Sequence, residues 1–434
     1  MGKQIRVGIA GLGNVGIGVV RVLSHNSDLL LSRAGRALTI TAISAREKNR
    51  DRGVDLTKFD WHGNACDLAR AENVDIVVEL IGGDNGVAKD VVETAISNGK
   101  HVVTANKALI GHHGTNLAKA AELNKVVLAF EAAVAGGIPI VKALRDGLAA
   151  NRVERLTGIL NGTCNFILSN MAETGRPFAE ILAEAKALGY AESDPTFDID
   201  GIDTAHKLSI LAALAFGTEV DFANVHVEGI RHISPIDIEF ARELGYGIKL
   251  LGVAARVPDE LGGGIEQRVH PCMVRKNAPI NHVSGVFNGI EVIGDFVDTT
   301  IYEGRGAGQG PTASAVVADL VDIARGLRIP AFSLKATDLR PPNTIPMGRR
   351  VGAYYVRFMV VDRPGVFADI AAVLRDHDVS MESVLQRGRS RGERVSVVMT
   401  VHETREEAMQ KGLQAIAALD SVVEPPSLIR IEDL

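Results

Sequence analysis

Residues 5–16 read I-R-V-G-I-A-G-L-G-N-V-G, and this stretch decides the fold of the chain. Its apolar beginning predicts a buried strand, and the glycines that follow open a run with helical periodicity. In this pattern Gly11 permits a tight turn, Gly13 lets a pyrophosphate approach the backbone, and Gly16 lets helix and strand pack closely. Free N–H groups at the start of the helix would meet the phosphate charge. The stretch predicts a dinucleotide-binding loop; the alternative is a Gly-rich turn without a ligand.

Further strand-like runs follow the glycine loop, with helical segments between them, at residues 38–44, 74–81, 101–104 and 126–130. Strands that alternate with helices predict a parallel sheet with right-handed crossovers. Residues 1–148 are therefore expected to form a doubly wound, Rossmann-type α/β domain. A later helix follows the glycines of G-R-G-A-G-Q-G at 304–310 and is expected to complete this domain over residues 308–328.

The rest of the chain changes character twice. Long helical segments and strand-like runs are mixed over residues 149–307, which predicts an α+β region. A Pro-rich linker follows at residues 340–350. Beyond it, residues 351–434 show the order strand, helix, strand, strand, helix, strand, which is ferredoxin-like βαββαβ.

The composition fits a globular protein and excludes several classes. The chain has 434 residues, 46% of them hydrophobic, and a formal net charge of −6. This mild acidity argues against nucleic acid as a partner, and the arginine cluster at 387–394 reads as a solvated hairpin turn. The three cysteines, Cys66, Cys164 and Cys272, form no C-x-x-C pair and indicate a reducing compartment. No stretch approaches the ~18 apolar residues of a membrane span, so we expect no membrane and a cytoplasmic protein.

A dense acidic stretch ends on a single lysine. Residues 187–207 read A-L-G-Y-A-E-S-D-P-T-F-D-I-D-G-I-D-T-A-H-K. Asp203 and Lys207 stand four residues apart at the start of an apolar run, so that on a helix they share one face. An ammonium group among carboxylates can place a proton on a carbonyl oxygen that is becoming an alkoxide. The alternative is an acidic, well-capped helix start with an ordinary ion pair.

The loops after the strands carry further candidates, because ligands collect at the carboxyl ends of parallel strands. Gly82 follows one strand and Lys107 another; Lys107 could meet phosphate, nicotinamide or substrate, or could simply begin a helix. The second strand ends at Arg46, where an NAD site usually has an acid. A guanidinium suits a 2′-phosphate, although Glu47 and Asp51 dilute the local charge. The loop favours NADP, with NAD and a merely solvated basic loop as alternatives.

These motifs resemble homoserine dehydrogenase, in the form that has a C-terminal ACT regulatory domain. The resemblance covers nearly the whole chain, and the acidic stretch is its most specific part because it fits the family signature at every fixed position. The other matching stretches are G-L-G-N-V-G at 11–16, T-A-N-K at 104–107, E-A-A-V-A-G-G-I-P at 131–139, G-I-L-N-G-T-C-N at 158–165 and G-R-G-A-G-Q-G-P-T-A at 304–313.

The resemblance implies NAD(P)-dependent interconversion of L-aspartate 4-semialdehyde and L-homoserine, in the biosynthesis of threonine, methionine and isoleucine. It also implies a catalytic and dimerisation domain over residues 149–307 and assembly as a homodimer or homotetramer. Two rivals stay open: a reductase of another small amino-acid semialdehyde, and a cofactor-bound amino-acid sensor without turnover. A sensor would have no need of a proton donor, which argues against the second rival.

The resemblance also implies roles for particular residues. Lys207 matches the family's proton donor, Asp203 a neighbouring active-site acid, and Lys107 a lysine at the cofactor and substrate. Glu192 matches the residue that holds the substrate's amino group, and Asp198 a second acid beside it. The implied cofactor contacts are Gly11, Leu12, Gly13, Asn14, Val15, Gly16, Arg46, Gly82, Lys107 and Gly308.

Two further sites follow from the resemblance. Glu131, with the backbone carbonyls of Val134, Gly136 and Ile138, matches a sodium site, since a hard cation takes oxygen ligands. From the residues alone, a strand-end turn before a helix is the favoured alternative. The resemblance implies that the C-terminal module binds an amino-acid effector, L-threonine; the alternative is that it serves only to pair chains. Its ligand loop, at a helix N-terminus, would contain Asp362, Arg363, Gly365 and Val366.

Overall fold

The computed structural model describes residues 4–387 and 392–434, so Arg389 and Arg391 of the basic cluster lie outside the described residues. The chain divides into two compact units, each assembled from separate segments of sequence. The first unit contains Met1–Leu160, Asp203–Val225 and Phe287–Pro342. The second unit contains Asn161–Ile202, His226–Val286 and Asn343–Leu434.

The described residues form strands and helices in the following chain order. The strands are β1 (Ile5–Ala10), β2 (Leu38–Ser44), β3 (Asp60–His62), β4 (Ile76–Glu79), β5 (His101–Thr104), β6 (Leu128–Ala129), β7 (Val153–Ile159), β8 (His226–Val227), β9 (Tyr246–Val257), β10 (Gly264–Arg275), β11 (Phe287–Gly294), β12 (Asp298–Arg305), β13 (Val351–Val361), β14 (Met381–Gln386), β15 (Arg394–Arg405) and β16 (Ser427–Glu432). The α-helices are α1 (Asn14–His25), α2 (Ser27–Ala34), α3 (Ala65–Arg70), α4 (Val87–Ser97), α5 (Lys107–Leu123), α6 (Ile140–Lys142), α7 (Gly162–Thr174), α8 (Phe178–Ala187), α9 (Thr196–Ile199), α10 (Ile202–Phe216), α11 (Pro235–Glu243), α12 (Gln309–Arg325), α13 (Val366–Asp376) and α14 (Glu406–Ala417).

A parallel sheet forms the centre of the first unit, with the strand order β3-β2-β1-β4-β5-β6. Val7 of the central strand pairs with Ile40 on one side and Ile76 on the other. A sheet covered by helices on both faces needs strands that are apolar throughout. Val7 and Ile9 accordingly have no exposed surface. The predicted doubly wound Rossmann-type fold is confirmed.

The helix that follows the late glycines packs into the same core as the first helix of the chain. One cluster of buried side chains joins Ile17 and Val20 of α1 with Val316 and Leu320 of α12. The sequence pattern predicts this late helix over residues 308–328, close to its bounds of Gln309–Arg325. In the part of the chain that the structure describes, no helix combines the length and the apolar character needed to cross a membrane.

Several element bounds differ from the pattern-based ones. β4 ends at Glu79 rather than 81, because Ile81 already lies in the loop. The helix after the glycine loop breaks at Asn26, which leaves the helical region and separates α1 from α2. The elements that the patterns did not predict include β3, β8, β12, α7 and α9. β3 and β8 have only three and two residues, and β12 shows little burial along its length.

Antiparallel pairing builds the remaining strands. In the first unit β11 pairs with β7 and β12. In the second unit β9 and β10 form a long hairpin, and β10 also pairs in parallel with β8 and β16. The C-terminal strands follow in the order β16-β13-β15-β14, with α13 and α14 between them in sequence. The predicted mixed region and the ferredoxin-like βαββαβ module are confirmed.

Candidate active site

The glycine loop joins β1 to α1, and each of its glycines has a distinct environment. Gly11 has a φ of +106°, and a Cβ at this position would collide with the carbonyl group of Leu80. A Cβ at Gly16 would collide with the carbonyl oxygen of Gly11, so strand and helix are in close contact. A Cβ at Gly13 would meet nothing within 4 Å, which leaves open space before that backbone. These are the environments that a tight turn, a close packing and a ligand approach require.

A cavity of about 750 Å³ lies at the carboxyl ends of β1, β2 and β4. This volume is within the range of about 300–1,000 Å³ that is typical of small-molecule sites. Five of the expected cofactor contacts line the cavity: Gly11, Leu12, Gly13, Arg46 and Gly82. Arg50 and Asn64, which were not among the expected contacts, line it as well.

The basic loop after β2 contains two kinds of arginine. Arg46 and Arg50 are exposed and line the cavity. Arg52 instead donates hydrogen bonds to the backbone carbonyls of Leu12 at 3.3 Å, Glu47 at 2.7 Å and Arg50 at 2.9 Å. All three arginines line the cavity. Arg52 uses its guanidinium to shape the loop, whereas Arg46 and Arg50 can meet an anionic ligand there.

The late glycine lies beside the first helix. Gly308 has a φ of +121° and stands at the N-terminus of α12. The next residue, Gln309, donates from Nε2 to the backbone oxygen of Asn14 at 3.0 Å and to its Oδ1 at 2.9 Å. Asn14 is exposed, and Val15 is half-buried. The structure thus brings a segment from late in the chain to the glycine loop.

Two lysines meet one buried carboxylate in the first unit. Asp203 lies in the first turn of α10, and its Oδ2 accepts a hydrogen bond from Lys207 Nζ at 2.8 Å. Its Oδ1 lies 3.0 Å from the Nζ of Lys107, which begins α5. Lys207 also donates to the backbone oxygen of Leu160 at 2.7 Å. The side chains of Asp203 and Lys207 are 5% and 11% exposed, whereas that of Lys107 is 35% exposed. The cluster therefore holds one ammonium group in place and leaves the other accessible.

The remaining expected acids belong to the second unit. Asp198 is half-buried, and its Oδ1 accepts from Asn161 Nδ2 at 2.8 Å while its Oδ2 accepts from Thr163 Oγ1 at 3.2 Å. Asn161 also caps α7 by accepting from the backbone N–H of Cys164. Glu192 is exposed. Asn161 and Thr163 lie in the stretch G-I-L-N-G-T-C-N but were not singled out as site residues.

A buried acid at the end of β4 was missed by the sequence reasoning. Glu79 has no exposed surface, and its Oε1 accepts from the backbone N–H groups of Ile81 at 2.7 Å and Gly82 at 3.1 Å. Its Oε2 accepts from the hydroxyl of Thr104 at 2.5 Å. Burial raises the pKa of the Glu79 carboxyl, and the hydrogen bonds from Thr104 and the loop amides oppose that shift. The signal in the sequence was an acid directly after the apolar residues I-V-V, within the run V-D-I-V-V-E-L-I.

The expected sodium ligands lie in one buried turn. Glu131 is 2% exposed, and its carboxylate accepts from the backbone N–H groups of Val141 at 3.0 Å and Lys142 at 2.9 Å. Burial, and then the nearby Asp319, raise the pKa of Glu131 to about 7. A cavity of about 380 Å³ is lined by Glu131, Gly136 and Ile138, whereas Val134 is not part of its wall. An anionic oxygen and backbone oxygens beside a cavity are a donor set that suits a hard cation.

The expected effector loop stands at the start of α13. Gly365 has a φ of +95° and precedes the helix, whose first residue, Val366, is buried. Asp362 donates its backbone N–H to the Glu393 oxygen at 2.9 Å, and Arg363 is exposed. Free N–H groups at this helix start could meet a carboxylate.

One buried cluster has the residue types of a metal site, but its acid is already paired with arginines and its thiol is held protonated. His270, Cys272 and Glu432 place possible ligand atoms within 4.8 Å of one another. Both oxygens of Glu432 are already bound by guanidinium groups, from Arg268 at 3.2 Å and Arg350 at 3.0 Å. Burial raises the pKa of the Cys272 thiol, which disfavours the thiolate that a metal needs. This cluster is better explained as a buried ion-pair network.

A parallel sheet with a glycine turn and a cavity at the carboxyl ends of its strands is the arrangement of a dinucleotide-binding domain. Together with Lys107 after β5 and its partner Asp203, it defines the class of NAD(P)-dependent oxidoreductases. Comparisons with known proteins identify the family. A model described as homoserine dehydrogenase, NAD binding domain, matches residues 11–131, one described as homoserine dehydrogenase matches 139–321, and an ACT domain model matches 354–421. The chain belongs to the homoserine dehydrogenase family, in the form with an ACT domain.

Full-length relatives support this assignment. The homoserine dehydrogenase of Neisseria gonorrhoeae is 44% identical over 438 residues, which cover 100% of this chain and 99% of that protein. The Pseudomonas aeruginosa homoserine dehydrogenase is 45% identical over 441 residues and both chains are covered completely. A crystal structure of the Thiobacillus denitrificans homoserine dehydrogenase has a TM-score of 0.93 at 44% identity, covering 100% of this chain and 99% of that one.

Proposed function

We propose that this chain reduces L-aspartate 4-semialdehyde to L-homoserine with NADPH, in the biosynthesis of threonine, methionine and isoleucine. The observation that carries the proposal is the Asp203 carboxylate held between Lys107 and Lys207. When bound, the dihydronicotinamide supplies a hydride to the aldehyde carbon. The electron pair of the C=O bond then moves to the oxygen, which needs a proton or a positive field.

Lys207 is the proposed source of that proton. An ammonium group has three N–H donors; Asp203 and the Leu160 carbonyl account for two of them among the described residues. We infer that the third points to the substrate oxygen and transfers its proton as the alkoxide forms. Asp203 fixes the direction of Lys207 and also holds Lys107, whose accessible ammonium would bind substrate or cofactor. Glu192 and Asp198 would bind the α-ammonium of the substrate.

The assay that tests this proposal mixes the purified protein with L-aspartate 4-semialdehyde and NADPH and follows the nicotinamide absorbance. We expect stoichiometric loss of the absorbance and formation of homoserine. If the absorbance stays constant with this substrate while another amino-acid semialdehyde is reduced, the rival reductase is correct. If no aldehyde is reduced although NADPH binds, the chain is a sensor and the proposal fails.

The preference for NADP rests on the basic wall of the cavity. Arg46 and Arg50 line it, and a guanidinium binds a 2′-phosphate in a bidentate manner. Glu47 also lines it and opposes the preference. Comparing kcat/KM for NADPH with that for NADH tests the assignment; equal values would remove it.

We further propose a sodium ion at Glu131, held also by the carbonyls of Val134, Gly136 and Ile138. The raised pKa of Glu131 supports the site, because burial and then Asp319 disfavour the ionised carboxyl, Lys142 offsets this only in part, and a cation would offset more of it. The alternative is the purely structural turn, in which the amides of α6 suffice. A dependence of thermal stability on Na⁺ distinguishes the two.

The ACT module is proposed to bind L-threonine through residues 362–366 and to reduce activity when it does so. The support is the ACT match together with a glycine of positive φ at the N-terminus of α13. A titration of the full chain with L-threonine, followed by activity, tests this. An activity that is indifferent to threonine would leave the module as a chain-pairing element.

The remaining proposals concern organisation. We propose a dinucleotide-binding domain over residues 1–148 with helix 308–328, a catalytic and dimerisation domain over 149–307, a linker at 340–350 and an ACT domain over 351–434. A homodimer is proposed, with a homotetramer as the alternative, in the cytoplasm. The exposed Phe296 and Ile301, beside and on β12, are apolar surface that a second copy could cover. Analytical ultracentrifugation would distinguish monomer, dimer and tetramer.

A further inference from the structure

Glu79 ends β4 in the middle of the parallel sheet, where it is flanked by β1 and β5. Ala10 pairs with it on one side and Thr104 on the other. The other residues of β4 are apolar, and all four residues are buried. Among the described residues, no lysine, arginine or histidine forms an ion pair with Glu79. Burying a carboxylate without a cation is unfavourable unless its oxygens are well bound.

One oxygen of this carboxylate organises the loop of the cofactor cavity. Oε1 accepts from the backbone N–H groups of Ile81 and Gly82, and both residues line the cavity. Gly82 has a φ of +88°, a region that the loop can adopt because the position is a glycine. The Glu79 carboxylate therefore fixes the backbone of Ile81 and Gly82, which form part of the cavity wall.

The other oxygen organises the loop that carries Lys107. Oε2 accepts from the Thr104 hydroxyl, which itself accepts from the backbone N–H of Asn106 at 3.0 Å. Asn106 also contacts the loop after β4, because its Nδ2 donates to the Gly83 backbone oxygen at 2.6 Å. Its Oδ1 caps α5 by accepting from the Leu109 N–H at 3.1 Å. The two loops are therefore linked at two separate points.

The links continue from Asn106 to the catalytic amine. Lys107 is the next residue, its Nζ lies 3.0 Å from Asp203, and Asp203 accepts from Lys207 at 2.8 Å. Consecutive contacts within the first unit thus connect the loop after β4, which lines the cavity, with Lys107 and Lys207. A displacement of the Thr104 link would move the start of α5 and with it Lys107.

We propose that Glu79, Thr104 and Asn106 are positioning residues: they form a clamp that aligns the cofactor loop with Lys107. None of these three residues lines the cavity, so they would act through Ile81, Gly82 and Lys107. The clamp rests on the proposed role of the lysine cluster in semialdehyde reduction. Its two arms have separable functions, since the Glu79 arm holds the cofactor wall and the Thr104 arm holds the lysine loop.

The test uses the full-length protein with Thr104→Val, Thr104→Ser and Glu79→Gln. Thr104→Val keeps the shape of the side chain but removes the hydroxyl, and we expect kcat to fall roughly tenfold, the scale of one buried hydrogen bond. NADPH affinity, measured by calorimetry without substrate, should change less than about threefold. Thr104→Ser restores the hydroxyl and should restore kcat. Glu79→Gln should weaken NADPH binding roughly tenfold because its amide cannot accept from the loop and the hydroxyl together.

Two matched controls separate positioning from general loss of structure. Thr41→Val removes a hydroxyl that binds the Asn73 oxygen in the same sheet, away from the cavity. Glu122→Gln alters a carboxylate that accepts a loop amide, from Ala336, elsewhere in the same unit. Both should keep kcat and NADPH affinity.

The outcomes are distinguishable from failure of the proposed function. The clamp is wrong if Thr104→Val keeps wild-type kcat, if Thr104→Ser is impaired equally, or if both controls reproduce the losses. If the wild type does not reduce L-aspartate 4-semialdehyde, the proposed function fails, while the calorimetric effect of Glu79→Gln still decides whether the clamp holds the cofactor wall.

Discussion

Each unit contains one largely buried cluster of charged side chains, and the two clusters have opposite ratios of acidic to basic groups. In the first unit one carboxylate, Asp203, meets the ammonium groups of Lys107 and Lys207. In the second unit one guanidinium, Arg430, meets the carboxylates of Glu228 and Glu406. The clusters therefore carry opposite excess charge.

They also differ in how completely their donors are used. Arg430 donates from Nε, Nη1 and Nη2 to both oxygens of each acid at 2.6–2.9 Å, and its side chain is 2% exposed. It lies on β16 where that strand pairs with β10, so the cluster secures a strand pairing. Each cluster has one member that is about a third exposed, Lys107 at 35% and Glu228 at 34%. The difference is that we infer an unused donor on Lys207. A charged group whose donors are all bonded within the protein stabilises the fold, whereas one with a donor left over can bind a substrate.

The largest effect is expected when the Arg430 cluster is disrupted. Arg430→Met would leave the buried carboxylate of Glu406 and the half-buried carboxylate of Glu228 without this cation. Removal of one partner from a buried ion network costs about 3–5 kcal/mol. Urea unfolding should show that loss, whereas Arg375→Met, which changes an arginine whose side chain is 75% exposed, should change the unfolding free energy by less than about 0.5 kcal/mol. Equal stability of both variants would mean that the two clusters do not differ as described.

The next largest effect is expected on kcat when the Asp203 cluster is altered. Asp203→Asn keeps the size of the side chain, but its amide nitrogen faces one of the two ammonium groups and cannot accept from it. We expect kcat to fall by about a hundredfold, within the usual range for groups that serve proton transfer, with little change in NADPH affinity. Asp200→Asn, which alters an acid paired with Arg231 in the second unit, is the control. A parallel loss in both variants would argue against a specific role of Asp203.

A smaller effect is expected in the cavity. Arg46→Ala should lower kcat/KM for NADPH by about tenfold and leave that for NADH nearly unchanged, since one charge-assisted contact to phosphate is lost. Lys48→Ala removes a basic residue of the same loop that does not line the cavity, and it should preserve the ratio. If the NADPH/NADH ratio is the same in Arg46→Ala as in the wild type, Arg46 does not bind the 2′-phosphate.

The smallest effect depends on pH and sodium. The pKa of Glu131 is raised from 4.5 to about 7, so the folded state binds its proton more tightly than the unfolded state does. Its contribution to stability is therefore complete below pH 4.5 and is lost as the pH rises through about 7. Sodium should recover part of the loss by stabilising the ionised form. Replacing choline chloride by NaCl should raise the Tm by about 1–2 °C at about pH 8 and by less at about pH 5.5; equal shifts would contradict a site at Glu131.

Local patterns were sufficient for the glycine loop, the parallel sheet and the Asp203–Lys207 pair, because each depends on a short spacing or a repeated alternation. Glu79 was not predicted, because a lone acid after an apolar run also marks an ordinary strand end. Its partner Thr104 is 25 residues away, and only the parallel pairing of β4 and β5 brings them together. Arg430 and Glu228 are 202 residues apart and depend in the same way on strand register.

The most direct test of the account measures Lys207→Ala and the wild type side by side, with NADPH binding followed by calorimetry and reduction of L-aspartate 4-semialdehyde followed by absorbance. The account predicts unchanged NADPH affinity and a fall in kcat of about a thousandfold, as expected for the loss of a general acid. Turnover of the variant at the wild-type rate would contradict it, because the proton would then come from another group.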